Sequence, residues 1–274
     1  MNQDTRKLLH REYCKAVSTS TSGIQVFKTF YNSLEKAEIA DEDSDVIDAF
    51  VDGIRGTLGQ RAMYKDMEKM IDSLEVTFHN ISLCEKDLES DQNSDVKFTS
   101  RMKQADSTLA KLLCKSLTSN ESVSIRDTYG IRGVVESENE EIAIKHVYNL
   151  YNAFLGIVAQ RSKKKKESFQ QWIACQELSS KEREAISFIL SCPFMISFRK
   201  DYIENPKPNG YHTLQFTLST PMYSPVLPGA QIEIQLRPSA MHFVATEGTA
   251  KHEDFKDALL KDVKGIFTIT EEDS

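Results

Sequence analysis

A short segment between residues 199 and 215 concentrates cations, a rigid turn and an aromatic ring, and it reads RKDYIENPKPNGYHTLQ. Two prolines fix φ on both sides of Lys207, and the Asn-Gly pair that follows readily adopts positive φ, so we expect a stiff loop leading into a strand. Lys207, Asn209 and Tyr211 would offer a base a charged donor, an amide and a flat stacking face. An ordinary proline-rich turn is the alternative interpretation.

A second polar segment precedes this loop by about a hundred residues. Its members recur at spacings that fall near one face of a helix, or of a turn that enters a helix. They are Arg101, Lys103, Ser107 and Lys111. Cations on one face repel each other unless an anion binds there, so the segment is a candidate phosphate site. A solvated helix surface is the commoner explanation for cations at such a spacing.

Two carboxylates accompany short β-rich runs. Asp127 comes just before the run that contains Arg132, and Glu233 lies in the run IEIQLR. Its period of two places Glu233, Gln235 and Arg237 on the same side of one strand, with the apolar residues on the other side. Carboxylates at sheet edges suit Mg²⁺, which takes oxygen ligands and completes its shell with water and substrate phosphates. Each carboxylate alone is more often a solvated side chain.

The composition is that of a globular protein, with 40% hydrophobic and 27% charged residues and a net charge of −7. This charge is not that of a generic nucleic-acid binder, so contact with RNA would need a local basic patch such as the run Lys163, Lys164, Lys165 and Lys166. No apolar run approaches membrane-spanning length and the start lacks a secretory pattern, so we expect a cytoplasmic protein with no membrane partner.

Periodicity divides the chain near residue 95. Apolar residues at helical spacing predict a helical N-terminal region over residues 1–95, interrupted only at the glycine-containing stretch 52–60. Downstream, short β-rich runs alternate with helical segments, which predicts an α+β domain at 96–262, built on a mixed sheet of about five strands flanked by helices. Residues 263–274 are predicted to form a C-terminal tail.

Five ordered motifs between about residues 98 and 256 resemble the pyrophosphokinase domain of the RelA/SpoT family, the alarmone synthetases. In chain order they are R-x-K-x-x-x-S-x-x-x-K, D-x-x-G-I-R, K-D-Y-I-x-x-P-K-x-N-G-Y, E-I-Q-L-R and M-H-F-V-A-T-E-G-T-A-K-H-E-D-F-K. The resemblance implies a nucleotidyltransferase-like domain that moves a pyrophosphoryl group from ATP to a 3′-hydroxyl of a guanine nucleotide. The sequence G-x-x-x-x-G-K-[ST] is absent, so a P-loop is not the source of phosphate binding.

The resemblance also assigns roles to individual residues. Glu233 would activate the attacking hydroxyl and hold Mg²⁺ together with Asp127, while Lys200 would lie by the phosphates. The implied ATP-binding residues are Arg101, Lys103, Ser107, Lys111 and Arg132; the acceptor-binding residues are Lys207, Asn209, Tyr211 and Asp201; the supporting residues are Gln235, Arg237 and His252. In-line phosphoryl transfer needs mainly positioning, a metal and cations, with a carboxylate to accept a proton. A zinc pair of His242 and His252 would lack a third ligand at suitable spacing.

The chain departs from long family members at two points. Thr213-Leu214-Gln215 stands where those members read S-L-H, which replaces a histidine that contacts acceptor phosphates. No His-Asp dipeptide occurs, so we expect synthesis without the hydrolase activity of long members.

The small size, the helical N-terminal region and the lysine run resemble the toxic small alarmone synthetases of toxin-antitoxin pairs, some of which modify the 3′ end of tRNA. The implied acceptor is therefore the tRNA 3′-CCA end, which the lysine run slightly favours, or GDP/GTP. A toxin of this kind would have an antitoxin protein as partner. The alternative function is a catalytically silent regulatory module that binds nucleotide or tRNA, against which the presence of both Asp127 and Glu233 argues.

Overall fold

The computed structural model describes residues 3–20, 23–37, 43–62, 64–89, 95–103, 107–112, 125, 127–224 and 227–247. These residues form two compact units. The first unit contains the described parts of Met1–Tyr64 and Lys103–Thr128, and the second contains those of Lys65–Met102 and Tyr129–Lys251.

The first unit is helical, as predicted for the N-terminal region. Its helices are α1 (Gln3–Thr19), α2 (Gly23–Leu34) and α3 (Ser44–Ala62). Phe30 is fully buried at its centre, and its ring packs edge-on against Phe50 with a centroid distance of 5.6 Å. Leu109 and Leu112 join the same core.

Helix α3 corrects one detail of the sequence-based prediction. Residues 52–60 were expected to interrupt the helical region because they contain glycines, yet they lie within α3. A glycine in a helix interior costs about 1 kcal/mol relative to alanine. The burial of Phe50 and Ile54, four residues apart on the same face, offsets that cost.

The remaining elements are α4 (Tyr64–Glu89), β1 (Asp95–Met102), β2 (Tyr129–Glu136), α5 (Glu140–Ile157), α6 (Lys163–Cys175), α7 (Ser180–Ser191), β3 (Met195–Asp201), β4 (Leu214–Ser219), β5 (Gln231–Pro238) and α8 (Ser239–Thr246). The five strands form one sheet in the order β1-β2-β5-β4-β3. Strands β2 and β5 are parallel and the other neighbours are antiparallel. The predicted α+β fold with a mixed five-stranded sheet is confirmed.

One face of this sheet packs against helices. Phe98 of β1 lies among the rings of Phe78 from α4 and Phe154 from α5, which stack with centroids 4.1 Å apart. Gly133 of β2 is required beneath Phe98, because a Cβ atom at this position would lie 2.8 Å from atoms of both Phe98 and Leu236. The alternation of the strands then sends the polar residues of β1, β2 and β5 to the opposite face.

Within the described part of the chain, no helix combines the length and the apolar character needed to cross a membrane.

Candidate active site

The polar side of β5 forms the centre of the candidate site. Glu233 and Gln235 are each 8% exposed and Arg237 is 1% exposed. They share one face, as the alternation predicted, while Ile232, Ile234 and Leu236 on the other face are fully buried. Glu233 had been expected at the edge of a sheet, but β5 lies in the middle of the sheet. Its neighbours β2 and β4 therefore enclose the carboxylate.

Two amide side chains hold the Glu233 carboxylate. Gln215 of β4 donates from Nε2 to Oε1, and Gln235 donates from Nε2 to Oε2 at 2.6 Å. Gln215 and Gln235 are directly paired across the two strands, which brings both amides to the same carboxylate. Neutral donors orient a carboxylate without adding charge, so the two amides fix the direction of Glu233.

The contact of Gln215 was missed at the sequence level. There, Gln215 was interpreted only as the replacement of a histidine that contacts acceptor phosphates. The alternation of β4 could have predicted this contact, because Gln215 falls on the same face as Thr217, the register partner of Glu233.

Three arginines lie on the polar face of the sheet, and the charge of Glu233 acts on one of them, Arg132. Arg101 comes from β1, Arg132 from β2 and Arg237 from β5. Arg101 therefore lies on a strand, and not on a helix face or on a turn that enters a helix, which were the two predicted positions. A small cleft of about 130 Å³ is lined by Arg101, Arg132, Glu233 and Gln235, among others. Positive charge from three strands thus converges at one place on the sheet.

The arginines are buried without enough acceptors. Burial, and then the charge of Arg132, lower the pKa of Arg237 to about 10. Burial and the charge of Arg101 likewise lower the pKa of Arg132. Among the described residues, Nε and Nη1 of Arg237 and Nε of Arg132 are buried donors with no hydrogen-bond acceptor. Since buried donors are nearly always paired, this arrangement is typical of a site that receives an anion.

Asp127 belongs to the first unit and is held by lysines. Its Oδ2 accepts hydrogen bonds from Nζ of Lys103 at 3.0 Å and from Nζ of Lys111 at 2.7 Å. Burial would raise the pKa of Asp127, but the two ammonium groups outweigh burial and hold that pKa well below its usual range. Its Oδ1 is buried and accepts no hydrogen bond from the described residues, which leaves one oxygen available to a ligand.

The segment around these lysines only partly matches its predicted form. Residues 107–112 are helical, which places Ser107 and Lys111 one turn apart as expected. Lys103 instead follows β1 directly, and its backbone N–H donates to the carbonyl of Thr128 at 2.8 Å.

The loop before β4 is as ordered as its sequence predicted. Gly210 has a φ of 75°, the conformation expected of the Asn-Gly pair. Oδ1 of Asn209 accepts a hydrogen bond from the backbone N–H of Tyr211 at 3.3 Å, and the backbone of Lys207 bonds to that of Tyr211. The strand begins at Leu214, so Tyr211 belongs to the loop.

The ring of Tyr211 lies between cations. Nζ of Lys207 is 5.0 Å and Cζ of Arg237 is 5.8 Å from its centroid, and the ring of Tyr202 meets it edge-on at 6.1 Å. Burial raises the pKa of the Tyr211 phenol. The ring is therefore a preformed platform that is linked to the buried arginine of β5.

Asp201 shapes the turn after β3. It accepts hydrogen bonds from Nη2 of Arg199 at 2.7 Å and from the hydroxyl of Tyr148 at 3.2 Å. Its Oδ1 also accepts from the backbone N–H groups of residues 203 and 204. The carboxylate predicted to bind the acceptor thus fixes the backbone that carries it, while the neighbouring Lys200 is exposed.

The lysine run forms the first turn of α6. Lys165 pairs with Glu85 at 3.7 Å, and Nζ of Lys166 donates to the carbonyl of Leu190 at 3.3 Å. Lys163 and Lys164 point to solvent, and the side chain of Lys163 is 91% exposed. Half of the run is therefore packed against neighbouring helices and half is a solvated surface.

Of the two histidines considered as a zinc pair, only His242 lies within the described residues. His242 lies on α8, and burial followed by the charge of Arg237 lowers its pKa. His252, to which a supporting role was assigned and which was considered for a zinc pair, lies outside the described residues. No group of three or more histidine, cysteine, aspartate or glutamate residues that would hold a metal occurs in the described ranges.

Comparison with known protein families gives a match to one family profile. A profile described as "Region found in RelA / SpoT proteins" matches residues 100–259, more than half of the chain. A GTP pyrophosphokinase from Myxococcus xanthus is 40% identical over 58 residues, which are 21% of this chain and 7% of that protein. The chain thus matches a small fraction of this relative's length.

Similar solved structures include small alarmone synthetase 1 of Bacillus subtilis bound to its product pppGpp, with 18% identity, a TM-score of 0.42 and coverage of 75% of this chain and 89% of that one. Small alarmone synthetase 2 of the same organism has 20% identity, a TM-score of 0.39 and coverage of 68% and 79%. With the profile spanning the five motifs, the chain belongs to the RelA/SpoT family.

Proposed function

We propose that the protein is an ATP-dependent pyrophosphokinase, which transfers the β,γ-pyrophosphoryl group of ATP to the 3′-hydroxyl of a nucleotide acceptor. The observation that carries this proposal is the buried arginine cluster beside Glu233. Arg237 is 1% exposed and has two nitrogen donors without an acceptor among the described residues, so an anion with several oxygens suits the site. The family membership makes a polyphosphate the appropriate anion.

Each group has a role that follows from its chemistry. Glu233, oriented by Gln215 and Gln235, accepts the proton of the attacking 3′-hydroxyl. Arg132 and Arg237 neutralise the charge that develops on the transferred group, with Arg101 beside them. In the first unit, Lys103 and Lys111 bind ATP phosphates with help from the hydroxyl of Ser107. Tyr211 stacks on the acceptor base, Lys207 and Asn209 contact its edge, and Lys200 approaches the acceptor phosphates.

The proposed metal is Mg²⁺, held by Asp127 and Glu233. The donor set fits this ion, because both ligands are carboxylates and Oδ1 of Asp127 is a buried acceptor that no described residue uses. When bound, Mg²⁺ neutralises phosphate charge and polarises the group under attack. Lys103 and Lys111 keep Asp127 ionised, and the two amides keep the Glu233 carboxylate oriented.

The acceptor is proposed to be a guanine nucleotide or the tRNA 3′-CCA end. The M. xanthus relative carries the name GTP pyrophosphokinase, which supports GDP or GTP. The two exposed lysines at the start of α6 support a polynucleotide, because they would follow its phosphates. In the tRNA case the protein would be a translation-inhibiting toxin of the cytoplasm, paired with an antitoxin protein. The proposed catalytic domain spans residues 96–262.

The direct test is transfer of label. Purified protein is incubated with Mg²⁺ and ATP labelled at the β or γ phosphate, and with GDP, GTP or deacylated tRNA in separate reactions. We expect label on at least one acceptor and release of AMP in equal amount. Periodate oxidation of the acceptor's terminal ribose is the matched control, since it destroys the 3′-hydroxyl. Absence of transfer to all three acceptors would refute the proposed function.

A further inference from the structure

A strip of alternating rings and cations runs from the edge strand β3 to the end of β5. Nζ of Lys200 is 4.9 Å from the centroid of Phe198 and 6.0 Å from that of Tyr202. Nζ of Lys207 is 4.8 Å from the centroid of Tyr202 and 5.0 Å from that of Tyr211. Three rings and two lysines therefore form one continuous surface, of which the proposed acceptor site at Tyr211 is only one end.

The far end of the strip is held in a strained conformation. Phe198 has a φ of 55°, in the left-handed region that aromatic residues rarely adopt, and its side chain is 48% exposed. It sits in an irregularity of the β3–β4 pairing between Ser197 and Lys200. A large ring kept exposed at a strained position is not explained by core packing, and such strain concentrates at functional sites.

We propose that this strip binds single-stranded RNA, with the 3′-terminal base on Tyr211 and the preceding bases on Tyr202 and Phe198. The proposal rests on the proposed function and specifies its acceptor. Rings that alternate with cations are the chemistry of single-strand recognition, because every base offers a π-face and every linkage offers a phosphate. A mononucleotide has one base and would leave Phe198 and Tyr202 unused.

Binding would exchange one set of contacts for a stronger set. Without RNA, Lys200 and Lys207 lie over the rings, where exposed cation–π contacts are weak. With RNA, bases would take the ring faces, and the ammonium groups would move to the phosphates between the bases. Base stacking on an aromatic ring is worth more than an exposed cation–π contact, so the exchange is favourable.

The charges beside the strip permit an anionic ligand. The carboxylate of Asp201 is engaged by Arg199 and Tyr148, as described above. Glu204 is exposed to solvent, and its charge is one of the causes of the raised pKa of Tyr148. A second copy of the chain that adds a strand to β3 is the competing occupant of this edge. The irregular pairing at Phe198 disfavours it, because such irregularities protect edge strands from further pairing.

The test measures binding and transfer separately. Binding is followed by the fluorescence anisotropy of 5′-fluorescein-labelled CCA trinucleotide and of deacylated tRNA. Transfer from ATP is compared between CCA and AMP, which share the terminal nucleotide, and GDP. The variants are Phe198→Ala and Tyr202→Ala, with Tyr223→Ala as the matched control, because Tyr223 is an exposed aromatic residue (85%) outside the strip.

We expect each strip variant to weaken CCA and tRNA binding about tenfold, with transfer to AMP and GDP unchanged in Phe198→Ala, and we expect Tyr223→Ala to have no effect. Phe198→Gly removes the ring and also relieves the strained φ, so it should lose RNA binding while its melting temperature holds or rises. Lys200→Met should instead flatten the salt dependence, since one phosphate contact is lost.

RNA binding that is unchanged in both aromatic variants overturns the proposal, and so does a change in oligomeric state without a change in RNA affinity. Transfer to GDP with no measurable binding of CCA or tRNA also overturns it, but leaves the pyrophosphokinase function standing. Ring-dependent RNA binding without transfer to any acceptor refutes the pyrophosphokinase function and leaves the strip as an RNA site.

Discussion

Replacement of Arg237 by methionine should make the ligand-free protein more stable and remove its affinity for the donor nucleotide. Arg237 is 1% exposed, and burial is the main cause that lowers its pKa to about 10. A fall of this size corresponds to about 3 kcal/mol by which the fold disfavours the charged group. Because arginine is charged in both folded and unfolded states at neutral pH, the whole penalty applies there, and methionine removes it.

Part of the gain is lost again. Arg237 contacts the ring of Tyr211, and a partly buried cation–π contact is worth about 1 kcal/mol. The net expectation is a stabilisation of about 1–2 kcal/mol, in line with other replacements of buried ions by apolar residues. At about 2–4 °C for each kcal/mol, the melting temperature should rise by several degrees.

The assay is thermal unfolding at pH 7.5 with and without a saturating ATP analogue that has a methylene bridge between the α and β phosphates. At a hundredfold excess over Kd the analogue should stabilise the parent by about 2.7 kcal/mol. It should stabilise Arg237→Met far less. Arg161→Met, at an exposed arginine, should stay within about 0.5 kcal/mol of the parent in both conditions. A variant that melts lower than the parent but keeps the full ligand shift would refute the reasoning, since Arg237 would then be a structural residue.

The remaining predictions concern the base, the platform and the lysine run. Glu233→Gln should lower transfer by at least about a hundredfold, because it removes both the proton acceptor and one of the two carboxylates proposed to hold Mg²⁺; equal turnover would contradict the role. Tyr211→Ala should lower acceptor binding by about 1–3 kcal/mol and Tyr211→Phe much less, as measured by acceptor KM, whereas equal losses in ATP affinity would indicate a structural loop. Charge reversal of Lys163 and Lys164 should weaken tRNA binding and flatten its salt dependence without changing transfer to GDP, and unchanged tRNA binding at moderate salt would make them only solvated.

The last experiment is limited to two lysines for a structural reason. The aliphatic chain of Lys165 packs so closely on α5 that a Cβ at Gly156 would lie 2.8 Å from it, and Lys166 bonds to the end of α7. A variant that reverses all four charges would therefore disturb the packing of α6. Its loss of activity would not report on RNA.

The sequence predicted those features that follow from local periodicity. The alternation around Glu233 correctly separated three polar residues from three buried ones, and the Asn-Gly pair correctly predicted the turn before Tyr211. Two elements went unpredicted. The exposed strand β1 shows no clean alternation, and the helix α6 begins with a run of lysines whose charge conceals its apolar face.

Features that depend on pairing between distant segments could not be predicted. The position of β5 at the centre of the sheet results from its parallel pairing with β2, about a hundred residues earlier, and this position buries Glu233. The contact between Gln215 and Glu233 depends on the register of β4, which no short motif specifies. Arg101, Ser107 and Lys111 are separated by six and then four residues, which suggested a common helix face. Such spacings do not show that a strand ends between Arg101 and Ser107.

The two carboxylates of the proposed site differ in what holds them, and this difference separates their roles. Asp127 accepts from two ammonium groups within 3.0 Å, which hold its pKa low and make it a poor proton acceptor but a permanent anion. Glu233 accepts hydrogen bonds from two amides, and the charge of Arg132 also acts on it. A carboxylate that accepts hydrogen bonds from ammonium groups resists protonation more strongly than one that accepts them from amides, so neutral donors suit the carboxylate that takes the proton. Asp127 is therefore suited to binding and Glu233 to proton transfer. Lys103→Gln should accordingly weaken donor binding more than it lowers the rate of transfer at saturating donor.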